Sequence, residues 1–142
     1  MRLYLLLIFL LFSAISVAQD TTSIKAFQKQ LSLNEMLVFG NKAIKFKELI
    51  SDSRCPKDPQ VNCIWAGEAK VLVEVFDHGE LCGTEILTVA TGPVLPDFLQ
   101  NLIPGQQIFL NAPVLSPYPS VSRSIKPEEY RLNLQVEVME GK

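Results

Sequence analysis

Among its 142 residues the chain has one histidine, one tryptophan and three cysteines. Each scarcity excludes something. A Ser-His-Asp triad or a histidine-based zinc site would have to use His78. Its neighbours Asp77 and Gly79 mark that histidine as a turn residue. No G-x-S-x-G, H-E-x-x-H or phosphate-cradling glycine loop occurs. Neither C-x-x-C nor a second ligand pair accompanies the cysteines, so no metal and no cofactor is expected. The formal charge is -2 and basic residues never run together, which argues against nucleic acid and anionic lipid as partners. No Asn-x-Ser/Thr sequon is present.

The N-terminus does have a long apolar run. Leu3 to Val17 follows Arg2, a short positive n-region, and Ser16-Val17-Ala18 sets small residues where a signal peptidase reads. Residues 1–18 are therefore expected to be a signal peptide, and 19–142 a single exported domain, periplasmic or secreted. The apolar run is short for a membrane span of about 20 residues and no basic stop-transfer cluster follows it. No membrane span is expected once it is cleaved. A domain of this length buries about two-thirds of its unfolded surface, enough for a core.

Along the mature chain the periodicity is mostly two. Thr21 to Leu31 is the exception: Ile24, Phe27 and Leu31 fall at helical spacing with Ser23 as N-cap, reading either as a short helix or as an irregular lead-in. Two apolar runs, Leu33–Phe39 and Lys42–Ile50, flank Gly40-Asn41 and predict a hairpin in which Leu37 faces Ile44. Val71, Val73 and Val75 alternate with Leu72, Glu74 and Phe76. A two-residue His78-Gly79 turn would pair Val75 with Cys82, Val73 with Thr84 and Val71 with Ile86, burying Cys82 and Ile86 with the valines. Thr91 to Gly105 is loop-like, with one helical turn at Phe98–Leu102. Gln106 to Leu115 predicts a strand with Ile108, Leu110 and Val114 on one face. Ser116 to Pro127 is long enough to cross between sheets. In Glu129–Met139, Tyr130, Leu132, Leu134, Val136 and Val138 take one face and polar residues the other. The sum is an all-β domain of about six or seven strands, an antiparallel β-sandwich, with a small β-barrel as the alternative.

Ser51 to Val75 holds the residues that invite a functional reading. Export favours cysteine pairing, and the prolines and turn formers between Cys55 and Cys63 let the loop fold back. A Cys55–Cys63 disulfide is expected, with Cys82 left as a reduced, buried thiol. Asp52 and Arg54 read as structural: a carboxylate accepting in a turn, and a guanidinium with five donors for loop carbonyls or for Asp52. Trp65 reads as an anchor packed over the disulfide or the sheet, with Ala66-Gly67 leaving room for it. All three, Asp52, Arg54 and Trp65, are also the binding candidates, because loops on rigid scaffolds often bind.

Asp52-Ser53-Arg54-Cys55-Pro56, then Cys63-Ile64-Trp65-Ala66-Gly67-Glu68-Ala69 and a valine-rich strand, resembles a set of small exported bacterial proteins. They share a D-S-R-C-P…C-x-W-A-G-x-A signature and a late strand like Tyr130–Val138. The signature spans about 20 residues. The resemblance implies an exported β domain and a Cys55–Cys63 pair, and no activity. Many look-alikes are lipoproteins, whereas this chain lacks the lipid-bearing cysteine.

Two functional classes follow. One is a non-catalytic interaction module that binds a protein or envelope component through a sheet edge or the proline-bearing loops. Its oligomeric state is not legible. The other is a hydrolase or other enzyme using carboxylates alone, which would gather Asp52, Glu68 and Glu85 in a concave pocket.

Overall fold

The computed structural model describes residues 23–90, 107–111 and 113–140. The expected signal peptide, the Thr91–Gly105 loop and the Phe98–Leu102 turn lie outside them. Within them are eight strands: β1 Ser23–Leu31, β2 Met36–Phe39, β3 Lys42–Asp52, β4 Ala69–Asp77, β5 Glu80–Val89, β6 Gln107–Leu110, β7 Val114–Ser116 and β8 Arg131–Glu140. A single 3-10 turn, Pro127–Glu129, precedes β8.

The strands form two antiparallel four-stranded sheets. One runs β1-β8-β6, with β7 in line with β6 along β8; the other runs β2-β3-β4-β5. Neither closes into a barrel. Their inner faces meet in one core. Leu132, Leu134, Val136, Val138, Ile108, Leu110 and Leu115 come from the first sheet. Ile44, Phe46, Val71, Val73, Val75, Leu87 and Val89 come from the second. This is the expected sandwich, and period-two patterning produces it. In β4 and β8 every second residue is buried, so only one arrangement removes both apolar faces from water.

Both hairpin turns have the expected length. Leu37 pairs with Ile44. Gly40 carries φ +66°, a conformation that costs glycine little. His78 and Gly79 both have positive φ, at +51° and +83°, the sign pattern of a type I′ turn.

Four expectations are corrected. Residues 23–31 form a strand, not a helix or lead-in. The helical spacing of Ile24, Phe27 and Leu31 is outweighed by the free edge of β8, which pairs with β1 from Ser23↔Glu140 to Leu31↔Leu132. Only Leu31 and the half-buried Phe27 reach inward, so backbone pairing rather than side-chain burial defines β1.

The expected Gln106–Leu115 strand is divided between Leu110 and Val114 into β6 and β7. The break changes the phase: Ile108, Leu110 and Leu115 are buried while Val114 faces water.

Residues 116–127 do not cross between sheets. They return the chain from β7 to β8, which pair directly (Leu115↔Leu132).

The β4–β5 register slips by one beyond the turn. Phe76 pairs with Leu81, but Val75 pairs with Gly83, leaving Cys82 as an extra residue in a bulge. Val73 therefore meets Glu85 and Val71 meets Leu87. Cys82 and Ile86 face solvent, and Leu87 and Val89 fill the core instead. A single inserted residue inverts every side chain after it.

Candidate functional site

The segment between β3 and β4, residues 53–68, leaves the second sheet as two legs. The Ser53 N–H donates to the Glu68 carbonyl at 2.8 Å, and the Cys55 N–H donates to the Ala66 carbonyl at 2.8 Å. The Ser53 hydroxyl adds a bond to the same Glu68 carbonyl at 2.9 Å. Gly67 makes this approach possible. A Cβ there would lie 1.9 Å from the Ser53 carbonyl oxygen, and its φ is +69°. Higher up, Cys55 and Cys63 form the expected disulfide, with their Cα atoms 6.0 Å apart.

Arg54 fastens this loop to the other sheet. It is 5 % exposed. Its Nε donates to Asp52 Oδ1 at 2.8 Å and its Nη2 to Asp52 Oδ2 at 2.7 Å, a bidentate pair. Its Nη1 donates to the carbonyl of Leu115 in β7, and Nη2 also donates to the Pro117 carbonyl at 2.9 Å. The planar fork of arginine suits this task as a lysine would not. Asp52 also accepts from the Arg54 N–H at 3.2 Å and from the Tyr130 hydroxyl at 3.1 Å. Burial alone pushes the Asp52 carboxyl up. The side-chain and backbone hydrogen bonds from Arg54, its charge, and the Tyr130 hydroxyl outweigh that and hold it below the usual carboxylate range. Tyr130 is pushed the other way, by burial first and then by the Asp52 charge. Among the described residues no buried side-chain nitrogen or oxygen lacks a partner, as a polar cluster in a sandwich requires.

A second fastening lies on the 116–126 connection. The Tyr118 ring has the Arg54 guanidinium 4.3 Å and the Lys57 ammonium 4.0 Å from its centroid, both within cation–π reach. Asp58 accepts from the Ser120 hydroxyl at 3.1 Å and the Val121 N–H at 3.0 Å.

What this base carries is apolar. Ile64 is fully exposed and Trp65 is 66 % exposed. The expectation that Trp65 packs over the disulfide or the sheet is overturned. The space beside Ala66-Gly67 is taken by the Ser53 backbone, so no room remains for an indole. Of the sequence candidates, Asp52 and Arg54 come together and act within the fold, while Trp65 stands apart at the surface. The sequence does not single out Tyr118, Asp58 or Ile64 as site residues, and it places Tyr130 only on the apolar face of the last strand. Ile64 leaves a trace there as one of two consecutive large apolar residues in a polar loop.

The carboxylates considered for acid–base chemistry have separate settings. Asp52 is held by Arg54. Glu68 pairs with Lys70 at 3.1 Å. Glu85 lies on β5 opposite Val73. Among the described residues no helix is long and apolar enough to cross a membrane.

No protein-family model, no curated protein and no solved structure matches this chain.

Proposed function

We propose that the chain is an exported, non-catalytic interaction module, periplasmic or secreted, whose contact residues are Ile64 and Trp65. Its partner is a protein or other envelope component offering an apolar pocket. One observation carries this reading: an exposed Ile-Trp pair stands on a loop that a disulfide, a buried arginine and two paired legs hold rigid. Exposing a tryptophan forfeits the burial of roughly 200 Å² of ring. Rigid aromatic anchors are the side chains that dominate binding energy at interfaces, because little ordering entropy is lost when they dock. The resemblance of the D-S-R-C-P…C-x-W-A-G segment to small exported bacterial proteins supports export and assigns no activity.

Trp65 is the only tryptophan, so its emission reports the tip alone. Titration with solubilised native envelope should shift that emission to the blue in a saturable way. Ile64→Ser should weaken the response at least tenfold without lowering the melting temperature. An emission that stays that of a water-exposed indole throughout would reject the reading.

A further inference from the structure

Ile64 and Trp65 sit between two ties to a single residue. Cys63, just before them, is bonded to Cys55 through sulfur. Ala66, just after them, accepts from the Cys55 N–H at 2.8 Å. The two arms of the loop are not held alike. On the Cys55 arm, Arg54 donates to Asp52, Leu115 and Pro117, the Lys57 ammonium lies over the Tyr118 ring, and Asp58 accepts from Ser120 and Val121. On the other arm, among the described residues, 59–65 have one hydrogen bond, from the Val61 N–H to the Asp58 carbonyl at 3.0 Å. The rigidity of the Cys55 arm therefore reaches the Cys63 side of the pair through the disulfide.

Opening that bond is a local event. The base of the loop stands without it: the Ser53–Glu68 rung, the close approach at Gly67 and the Arg54 bonds involve neither sulfur. The disulfide joins positions only eight apart, so its loss returns less entropy to the unfolded chain than loss of a long ring would. Both cysteines are half-buried, in a surface loop and outside the core, where a thiolate can approach them.

We propose that the Cys55–Cys63 bond is a redox clamp on the Ile64-Trp65 contact, opened by a dithiol reductant. The inference rests on the reading of that pair as the contact, and adds its regulation. One thiolate of the dithiol attacks a sulfur of the pair; a mixed disulfide forms as the other protein sulfur leaves as a thiolate. The second sulfur of the dithiol then displaces the first protein sulfur. Two electrons pass to the protein, the two protons of the dithiol end on Cys55 and Cys63, and the dithiol departs as a disulfide. Once freed on the Cys63 side, Ile64 and Trp65 must be ordered each time they dock, and affinity falls.

The test starts from Cys82→Ser, in which Cys55 and Cys63 are the remaining cysteines and a dithiol acts on one bond. Dithiothreitol should increase fast local motion in the Trp65 anisotropy decay. The Ser53 and Cys55 amides should keep their protection from exchange, and the melt should stay cooperative. Reoxidation with oxidised glutathione should restore the slow decay. Binding is read with no reductant present, by titrating the Cys55→Ser/Cys63→Ser variant with solubilised native envelope. Its Trp65 blue shift should need at least tenfold more envelope than that of the disulfide-bonded chain. An unchanged anisotropy decay, loss of protection at Ser53 and Cys55, loss of the cooperative melt, or a serine variant that responds as strongly as the oxidised chain would each overturn the clamp. An oxidised chain that gives no blue shift would instead reject the contact itself, and its regulation with it.

Discussion

The Tyr130 hydroxyl donates to Asp52 Oδ2 at 3.1 Å across 78 positions of sequence. It joins the residue before β8 in one sheet to the last residue of β3 in the other. Arg54 makes the parallel connection to β7, through the Leu115 carbonyl. The two sheets are thus linked by polar bonds at the rim as well as by the apolar core, and the stapled loop grows from that link.

Removing the guanidinium should be costly because it strands a carboxylate. Arg54→Met is expected to destabilise by about 3–5 kcal/mol, the range for breaking a buried pair from one side. Asp52→Asn combined with Arg54→Met should cost less than the sum of the two single changes, since no lone charge remains. Urea denaturation measures all three. Additivity within about 0.5 kcal/mol would show that the two residues are not coupled.

Stability should fall at both ends of the pH range. The Asp52 carboxyl is held low in the folded state. Its contribution is present above the unfolded value of about 3.9 and is lost as pH falls through the lower folded value. Tyr130 is raised. Its contribution is complete below about pH 10 and is lost as pH rises through the higher folded value. Asp52→Asn should flatten the acid limb in thermal melts and Tyr130→Phe the alkaline limb. Glu35, Glu74, Asp77 and Glu129 are also held low: burial pushes each up, at Glu74 as the largest single cause, but hydrogen bonds and neighbouring positive charges outweigh it, and they leave a residual acid limb in Asp52→Asn. An unchanged acid limb in that variant would remove Asp52 from the account.

Two glycines with similar φ separate backbone strain from steric clash. Gly40→Ala meets open space and should cost about 1 kcal/mol, from conformation alone. Gly67→Ala drives a Cβ into the Ser53 carbonyl and should cost several times more, opening the two legs of the loop. Equal losses in denaturant midpoint would contradict the close approach.

The thiols should behave differently under alkylation. Cys82 is expected to react quickly in the folded protein, because its bulge turns it to solvent. Cys55 and Cys63 should react only after reduction. Replacing both by serine should cost about 2.5 kcal/mol on the chain-entropy argument for so short a loop. A Cys82 that needs unfolding before it reacts would restore the unslipped register.

The choice of sandwich over barrel came from the two open sheets, whereas sequence by itself determined the all-β class, both two-residue hairpin turns, the Cys55–Cys63 pair and the core face of β8. These are local matters: alternation decides which face is apolar, and turn residues with accessible positive φ decide where the chain reverses. Tertiary structure alone decided three others. Residues 23–31 became a strand because β8 offered them an unpaired edge. Cys82 faced water because one bulge residue shifted β5, and nothing in the alternation of Leu81 to Val89 marks where that residue is inserted. Trp65 came to the surface because Gly67 gave its space to the Ser53 carbonyl, a contact between backbones 14 positions apart. Each outcome depends on how backbones pair across the fold, and residue pattern carries no record of that.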